Sequence, residues 1–252
     1  MDSSSEHRIT AIAVVQQLFR FPVKSMRGEE LREGRISWHG LDGDRRYAFV
    51  KTGNLAPFPW LTARDVPDML RLAPAFVDPS DPINSSLVVR MLDDAVLPLE
   101  SPALVTALAR SFGAPVHLMR LGRGAFDSLP LSLLSLSTVR DVPAPHDHPV
   151  DVRRFRANIL VEAFEDRPYV EDGWSGGLLV FGDRPDSARV RVNRPIPRCM
   201  MINLDPDTAR QDASVLRHVV HTNSNQAAVH ASTERPGTIQ VGDLVYLVRH
   251  EL

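Results

Sequence analysis

The chain has 252 residues, of which 29 are Lys or Arg and 31 are Asp or Glu, so its formal net charge at pH 7 is only −2. This near balance argues against a protein that binds nucleic acid, which requires an excess of basic residues gathered on one face. The single cysteine, Cys199, excludes an intrachain disulfide, a Cys-rich zinc site and an all-Cys iron–sulfur cluster within the chain.

Strands and turns are predicted for the first third of the chain. Its short segments are rich in β-branched and aromatic residues and are separated by turn-forming residues such as Gly40 and Gly43. The predicted strands cover residues 9–23, 35–38, 45–50 and 87–91.

A helix is predicted over residues 101–112. Ser101 is a suitable N-cap, Pro102 fits the first helical position, and Gly113 can adopt the left-handed conformation that ends a helix. Apolar residues spaced three and four apart predict that one face of this helix is buried.

Short strands also dominate the second half. We place the junction between two domains near Gly122, which gives an N-terminal domain over residues 8–122 and a second domain over residues 123–252. A short helix is predicted over residues 214–221. The predicted strands cover residues 115–121, 158–162, 177–181, 188–192 and 200–204, and two more lie within 237–248 around a Gly-Asp turn.

The sequence has no Walker loop, dinucleotide fingerprint, HExxH motif or nucleophile elbow. No apolar run reaches the roughly 18 residues of a membrane span. The first eight residues lack the basic start and apolar stretch of a secretory signal. We therefore expect a cytoplasmic protein without a membrane span.

Cys199 directly follows Arg198, and a neighbouring cation favours the thiolate, which is the form that ligates metals or acts as a nucleophile. Free cysteine is also among the most buried residue types. Residue chemistry therefore leaves three roles open for Cys199: a small buried apolar residue, a metal ligand or a covalent nucleophile.

Two further segments suit an anionic ligand. A strand through residues 153–161 would place Arg154, Arg156 and Asn158 on one face. A row of guanidinium groups there favours binding of phosphate. The alternative is a solvated sheet edge on which these residues form surface ion pairs. Lys24, one of only two lysines, follows a strand beside a hydroxyl. A lysine in such a place is by default an extended surface side chain.

The segment 132–138 is rich in hydroxyl groups and either caps a helix or binds an anion, and capping is the simpler explanation. Glu171 and Asp172 precede a glycine in a predicted turn. A general acid is conceivable there, but a carboxylate that orients its neighbours is the simpler interpretation.

Histidines offer a competing metal site. His146 and His148 flank Asp147 in a proline-bounded loop, and His218 and His221 share one helix face. Two ligands in each cluster are too few for a closed site, so surface histidines are the simpler interpretation.

Seven short motifs follow one another along nearly the whole chain, and in this order they resemble the MOSC family, named after the C-terminal domain of molybdenum cofactor sulfurase. They are most similar to its two-domain branch, the mitochondrial amidoxime-reducing component and its bacterial relatives. The motifs are Phe21-Pro22-Val23-Lys24-Ser25, Gly40-Leu41-x-x-Asp44-Arg45, Leu61-Thr62-x-Arg64, Arg154-Phe155-Arg156-Ala157-Asn158-Ile159, Glu171-Asp172-Gly173-Trp174, Arg198-Cys199-Met200-Met201-Ile202-Asn203-Leu204-Asp205 and Pro236-Gly237-Thr238-Ile239-Gln240-Val241-Gly242-Asp243.

The resemblance implies a β-rich α+β fold, in which an N-terminal β-barrel-like domain precedes a MOSC β-barrel with a few short helices. It implies a molybdenum–pyranopterin cofactor rather than pyridoxal phosphate, with Cys199 as the molybdenum ligand and catalytic residue; a soft thiolate suits such a metal. The other implied cofactor contacts are Lys24, Ser25, Arg45, Ser135, Thr138, Arg156, Asn158, Arg198 and His230.

Two positions depart from the family pattern. Ala157 stands between Arg156 and Asn158 where the family commonly has a proline, and His230 aligns with a position that is often tyrosine. His230 could keep a polar contact or supply a proton in the substrate pocket.

The implied activity is the reductive cleavage of N–O bonds in small N-hydroxylated compounds, such as hydroxylamines and amidoximes. Electrons are expected from a separate reductase, because the chain has neither cysteines for an iron–sulfur cluster nor a flavin or nicotinamide fingerprint. Two other classes stay open: a carrier that holds the cofactor, or a persulfide on Cys199, and hands it on, and a protein that has kept the fold but lost the metal.

Overall fold

Short strands make up most of the structure in residues 7–143 and 149–250, which are the residues that the computed structural model describes. The strands are β1 (His7–Arg20), β2 (Glu29–Leu31), β3 (Glu33–Ser37), β4 (Gly40–Leu41), β5 (Tyr47–Lys51), β6 (Ala73–Phe76), β7 (Leu87–Arg90), β8 (Val96–Pro98), β9 (Val116–Arg120), β10 (Leu131–Ser135), β11 (Ile159–Ala163), β12 (Leu178–Phe181), β13 (Arg189–Pro197), β14 (Gln226–Arg235), β15 (Gly237–Gln240) and β16 (Leu244–His250). The α-helices are α1 (Pro102–Phe112), α2 (Leu136–Asp141) and α3 (Ala213–Asn223), and 3-10 helical turns cover Pro67–Arg71, Val152–Phe155, Val170–Trp174 and Met200–Asn203.

Seven strands form a closed barrel. They are hydrogen-bonded in the order β11-β10-β14-β13-β12-β16-β1, and β1 pairs with β11 to close the ring. All these pairs are antiparallel except that of β10 with β11. The pairing register of β1 shifts between Ala11 and Ala13 on one side and between Val15 and Gln17 on the other. Such irregularities bend a strand, which lets β1 close the barrel.

Alternate side chains of the barrel strands fill its interior, as the two-residue period of a strand requires. Ala13 and Val15 of β1 and Val190 and Val192 of β13 are fully buried in one apolar cluster. This packing holds β13 in place, and the chain leaves its end at Pro197 directly before Arg198 and Cys199.

A second apolar cluster lies under α1 and two smaller sheets, β5-β9 and β6-β7-β8. Leu104 and Leu108 of α1 are buried in it. Val23, next to Lys24, and Leu204, just after the turn that follows Cys199, belong to the same cluster. The packing therefore fixes two distant segments of the chain relative to each other.

The predicted β-rich fold class with a barrel and a few short helices is confirmed. The predicted helix is confirmed with its caps: the Ser101 hydroxyl accepts a hydrogen bond from the Ala103 amide at 3.2 Å, and Gly113 has a φ of 85°. The helix could be predicted because each of these signals is local in sequence.

Two of the predicted strands are wrong. Residues 200–203 form a 3-10 turn, and residues 152–155 form another that ends at Arg156, whose φ of 53° lies in the left-handed region. Strand β11 begins only at residue 159. The predicted alternation of Arg154, Arg156 and Asn158 on one strand face is therefore wrong as well.

The division of the chain at residue 122 stays a prediction. Elements from its two sides are interleaved: β1 lies between β11 and β16, and β15 pairs with β3 through Ile239 and Gly34.

Candidate functional site

A pocket of about 600 Å³ opens where β13 ends. It is strongly cationic, since the described residues that line it include six cations and one carboxylate. These are Lys24, Arg45, Arg64, Arg156, Arg194 and Arg198, and the acid Asp127.

Cys199 lines this pocket and its side chain is exposed, so the interpretation as a buried apolar residue is wrong. Its extended backbone starts the 3-10 turn Met200–Asn203. The buried guanidinium of Arg154 holds this turn by donating to the Asn203 carbonyl at 2.8 Å and to the Asp205 carboxylate at 2.9 Å. Arg154 therefore positions the segment after Cys199 and does not line the large pocket.

Arg198 lies beside the thiol of Cys199, and Phe155 holds its guanidinium group in place. Its Nη2 donates to the Phe155 carbonyl at 2.7 Å, and its guanidinium carbon lies 5.6 Å from the centroid of the Phe155 ring. Burial lowers the pKa of Arg198 to about 10, which the nearby Cys199 partly opposes. Arg198 is still a cation at neutral pH, so the thiol of Cys199 lies beside a positive charge.

Two further guanidinium groups stack on Phe21. The guanidinium carbons of Arg45 and Arg156 lie 4.7 and 4.3 Å from the ring centroid. Arg45 forms an ion pair with buried Asp44 and donates to the Arg156 carbonyl at 2.9 Å, while Arg156 donates to the Met26 carbonyl at 2.8 Å. Burial, followed by the charge of Arg45, lowers the pKa of Arg156 to about 9.

Lys24 is buried, so the default interpretation as a surface lysine is wrong. Its ammonium group donates to the Ala125 carbonyl at 2.7 Å, forms an ion pair with Asp127 and lies 5.2 Å from the centroid of the Phe58 ring. Burial alone would raise the pKa of Asp127, but the charge and hydrogen bond of Lys24 outweigh it and lower that pKa. The neighbouring Ser25 also lines the pocket and has a φ of 66°.

Asn158 and His230 also line the pocket. The Asn158 side chain accepts from the Ser132 hydroxyl at 3.1 Å and donates to the Phe19 carbonyl at 3.1 Å, so it fixes the strand ends around the pocket. Burial, and then the charge of Arg194, lower the pKa of His230 below its usual value. The imidazole of His230 is therefore neutral at neutral pH.

Ser135 and Thr138 are not brought to this pocket. Ser135 caps α2 by accepting from the Ser137 amide at 3.3 Å, which confirms capping as the role of this hydroxyl. The Thr138 hydroxyl lies 2.9 Å from both carboxylate oxygens of Glu171, and both side chains are fully buried. Glu171 thus orients its neighbours, as the simpler interpretation of this acid predicted.

Seven polar lining residues are not among the cofactor contacts that the resemblance implied: Thr62, Arg64, Asp127, Ser128, Ser132, Arg194 and Gln226. Arg64 lies 5.2 Å from the centroid of the Phe58 ring, and Arg194 donates to the Ser128 hydroxyl at 2.9 Å. A signal existed for Arg64, within the Leu61-Thr62-x-Arg64 motif, and for Arg194, five residues before Cys199. None marked Asp127, which meets Lys24 only through the fold.

The histidine clusters do not form a metal site in the described part of the chain. His218 contacts the Asp141 carboxylate at 2.8 Å, and no group of three or more His, Cys, Asp or Glu side chains suited to a metal ion occurs among residues 7–143 and 149–250. His146, Asp147 and His148 lie outside the described residues.

The chain belongs to the MOSC family. The family model for the MOSC domain matches residues 122–246, and the model for the MOSC N-terminal beta barrel domain matches residues 12–110. The resemblance predicted from the ordered motifs is thereby confirmed.

Two relatives align with almost the whole chain. Mitochondrial amidoxime-reducing component 1 of Mus musculus is 23% identical, over 96% of this chain and 84% of that protein. Mitochondrial amidoxime reducing component 2 of Homo sapiens is 22% identical, over 95% and 84%. Among solved structures, the YUAD protein from Bacillus subtilis has a TM-score of 0.51 at 12% identity, covering 98% of this chain and all of that one, which shows a shared fold.

Helices able to span a membrane are absent from the part of the chain that the structure describes.

Proposed function

We propose that this protein is a molybdenum-cofactor-dependent oxidoreductase that cleaves the N–O bond of small N-hydroxylated compounds with electrons from a separate reductase. The observation that carries the proposal is the exposed thiol of Cys199 in a pocket lined by six cations and one carboxylate. Membership of the MOSC family and two relatives named as amidoxime-reducing components support it.

The pocket residues fit an anionic cofactor with a phosphate group. Three buried nitrogen atoms of lining residues have no hydrogen-bond partner in the described structure: Nη2 of Arg156, Nε of Arg198 and Nδ1 of His230. Buried polar atoms without partners are costly, and an oxyanion or a heterocycle in the pocket would satisfy them. The donor set is thus that of an anion site with one soft ligand, the thiolate of Cys199.

We assign the phosphate and pterin contacts to Lys24, Ser25, Arg45, Arg156, Asn158, Arg198 and His230. Cys199 would hold the molybdenum, and the cofactor when bound supplies the two-electron redox chemistry. Arg45 and Arg156 are presented on the rigid face of Phe21, so they need little reordering when an anion binds.

The overall reaction takes up two electrons and two protons. The N–O bond breaks, the nitrogen product gains one hydrogen, and the oxygen leaves as water. The neutral imidazole of His230 in the pocket wall suits a group that takes up and passes on these protons. The electrons come from a separate donor protein, since one cysteine cannot hold an all-Cys iron–sulfur cluster.

The test is metal analysis and turnover on protein produced in a host that makes the cofactor. We expect about one molybdenum and one pterin per chain, and reduction of benzamidoxime to benzamidine with reduced methyl viologen as donor. Absence of both metal and pterin would overturn the proposal. Bound cofactor that passes to a cofactor-free acceptor enzyme, without turnover, would favour the carrier instead.

A further inference from the structure

The mouth of the pocket carries two arginines that the cofactor assignment leaves unused, Arg64 and Arg194. Both side chains are exposed, and both line the same pocket as Cys199. Neither forms an ion pair with a carboxylate in the described part of the chain, whereas Arg45 is paired with Asp44 and Lys24 with Asp127. Their charges are therefore available to a ligand that enters the pocket.

Neighbouring side chains hold the two arginines at the mouth. Arg64 lies against the face of Phe58, with 5.2 Å between its guanidinium carbon and the ring centroid. Arg194 is tethered at 2.9 Å to the hydroxyl of Ser128, in the same loop as Asp127. A guanidinium that is held in place loses less freedom when it binds an anion in a bidentate manner.

The single carboxylate of the pocket, Asp127, interacts mainly with Lys24, and the charge of Arg64 acts on it more weakly. Asp127 is engaged by the buried ammonium group of Lys24, which lies deeper and is also bonded to the Ala125 carbonyl. The deeper cations, Arg156 and Arg198, donate to backbone carbonyls below the pocket. Positive charge thus occurs in two layers, a buried one near Cys199 and an exposed one at the mouth.

We propose that Arg64 and Arg194 form a recognition site for an oxyanion group, a carboxylate or a phosphate, carried by the N-hydroxylated substrate at the end remote from its N–O bond. This inference rests on the proposed function, because it assigns a substrate class to the same pocket. Phe58, Phe126 and Leu129 also line the pocket and provide apolar surface for the body of such a substrate.

The experiment compares three ligands on the cofactor-loaded protein: benzamidoxime, its 4-carboxy form and its 4-phosphono form. Binding is measured by isothermal titration calorimetry without an electron donor, and KM is measured separately with reduced methyl viologen. We expect at least one anionic form to bind roughly tenfold more tightly than benzamidoxime, the range of one charge-assisted hydrogen bond. The better of the two identifies the oxyanion.

The variants are Arg64→Gln, Arg194→Gln and the double variant. Each single change should reduce the preference, and the double change should abolish it while binding of neutral benzamidoxime stays the same. Arg64→Lys should keep part of the preference, because it keeps the charge and loses the planar fork. Arg110→Gln, an exposed change on α1 outside the pocket, is the matched control and should have no effect.

Equal binding of all three ligands by the unmodified protein, or a preference that survives in the double variant, would overturn the inference. Turnover without an anion preference leaves the reductase proposal intact and removes this one. The expected preference in calorimetry without any turnover removes the reductase proposal and leaves the anion site.

Discussion

The guanidinium carbon of Arg156 lies 4.3 Å from the centroid of the Phe21 ring, and the backbone of Arg156 has a left-handed conformation. The left-handed turn ends the 3-10 segment before it and separates Arg156 from Arg153 and Arg154, which contact other groups. One arginine of the three is thereby committed to the pocket, with its Nη2 buried and without a partner.

Replacing Arg156 with alanine should weaken cofactor retention by about 1.5–3 kcal/mol, the range of a hydrogen bond to a charged group. The cofactor content after dialysis, measured as molybdenum and pterin per chain, checks this. Arg153→Gln is the matched control, because Arg153 is three residues away and pairs with Asp151 and Asp207. Equal cofactor loss in the two variants would contradict a direct contact from Arg156.

Replacing Cys199 with serine should remove molybdenum and activity and leave the thermal unfolding midpoint nearly unchanged. The side chain is exposed and lines the pocket, so little folding energy depends on it. The unmodified protein provides a second measurement: as its only thiol, Cys199 should react with a disulfide reagent in cofactor-free protein and be protected in loaded protein. Full activity of the serine variant would rule out thiolate ligation.

Glu171 should make the protein less stable as pH rises towards neutrality. Burial raises the pKa of Glu171 from 4.5 to about 7, so between these values the folded state binds more protons than the unfolded chain. The free energy of unfolding therefore falls with rising pH; the contribution is complete below the lower value and lost as pH passes the higher one. Its size is on the order of a few kcal/mol.

Urea unfolding between about pH 5 and pH 8 measures this slope. Glu171→Gln keeps the volume and a neutral side chain, so its slope should be smaller than that of the unmodified protein. Glu162→Gln, which changes a half-exposed glutamate paired with Arg140, should keep the original slope. If the slope is the same in all three proteins, Glu171 does not titrate in this range.

Replacing Gly237 with alanine should destabilise the protein by about 1–3 kcal/mol, the usual cost of overpacking. An added Cβ would meet the Asp186 carbonyl and lie 2.8 Å from the Ala188 amide nitrogen, and both are backbone atoms that cannot turn away. Gly122→Ala is the control, because open space surrounds that position. Thermal unfolding of the two variants compares them, and equal midpoints would contradict the predicted clash.

Local signals made α1 and most strands predictable from the sequence. Ser101, Pro102 and Gly113 each act within a few residues of the helix they delimit. Arg198 and Cys199 are adjacent in the sequence, so their proximity in the structure could be predicted as well.

Long-range contacts explain what could not be predicted. Arg154 leaves the expected strand face because the Asn203 carbonyl, far along the chain, accepts its hydrogen bond. Thr138 turns from the pocket to Glu171, and Asp127 reaches Lys24, which is 103 residues away in sequence. None of these partners can be identified from spacing, because tertiary packing brings them together.

Closure of the barrel depends on β1, the first strand of the described chain. It lies between β16 and β11, and without it both would present unpaired edges. Open edges recruit strands from other molecules, so a fragment that begins near residue 123 would be prone to self-association. Because β1 pairs with β16, the barrel can close only after the chain has been synthesised through β16, and the barrel that carries the Cys199 pocket is complete only then.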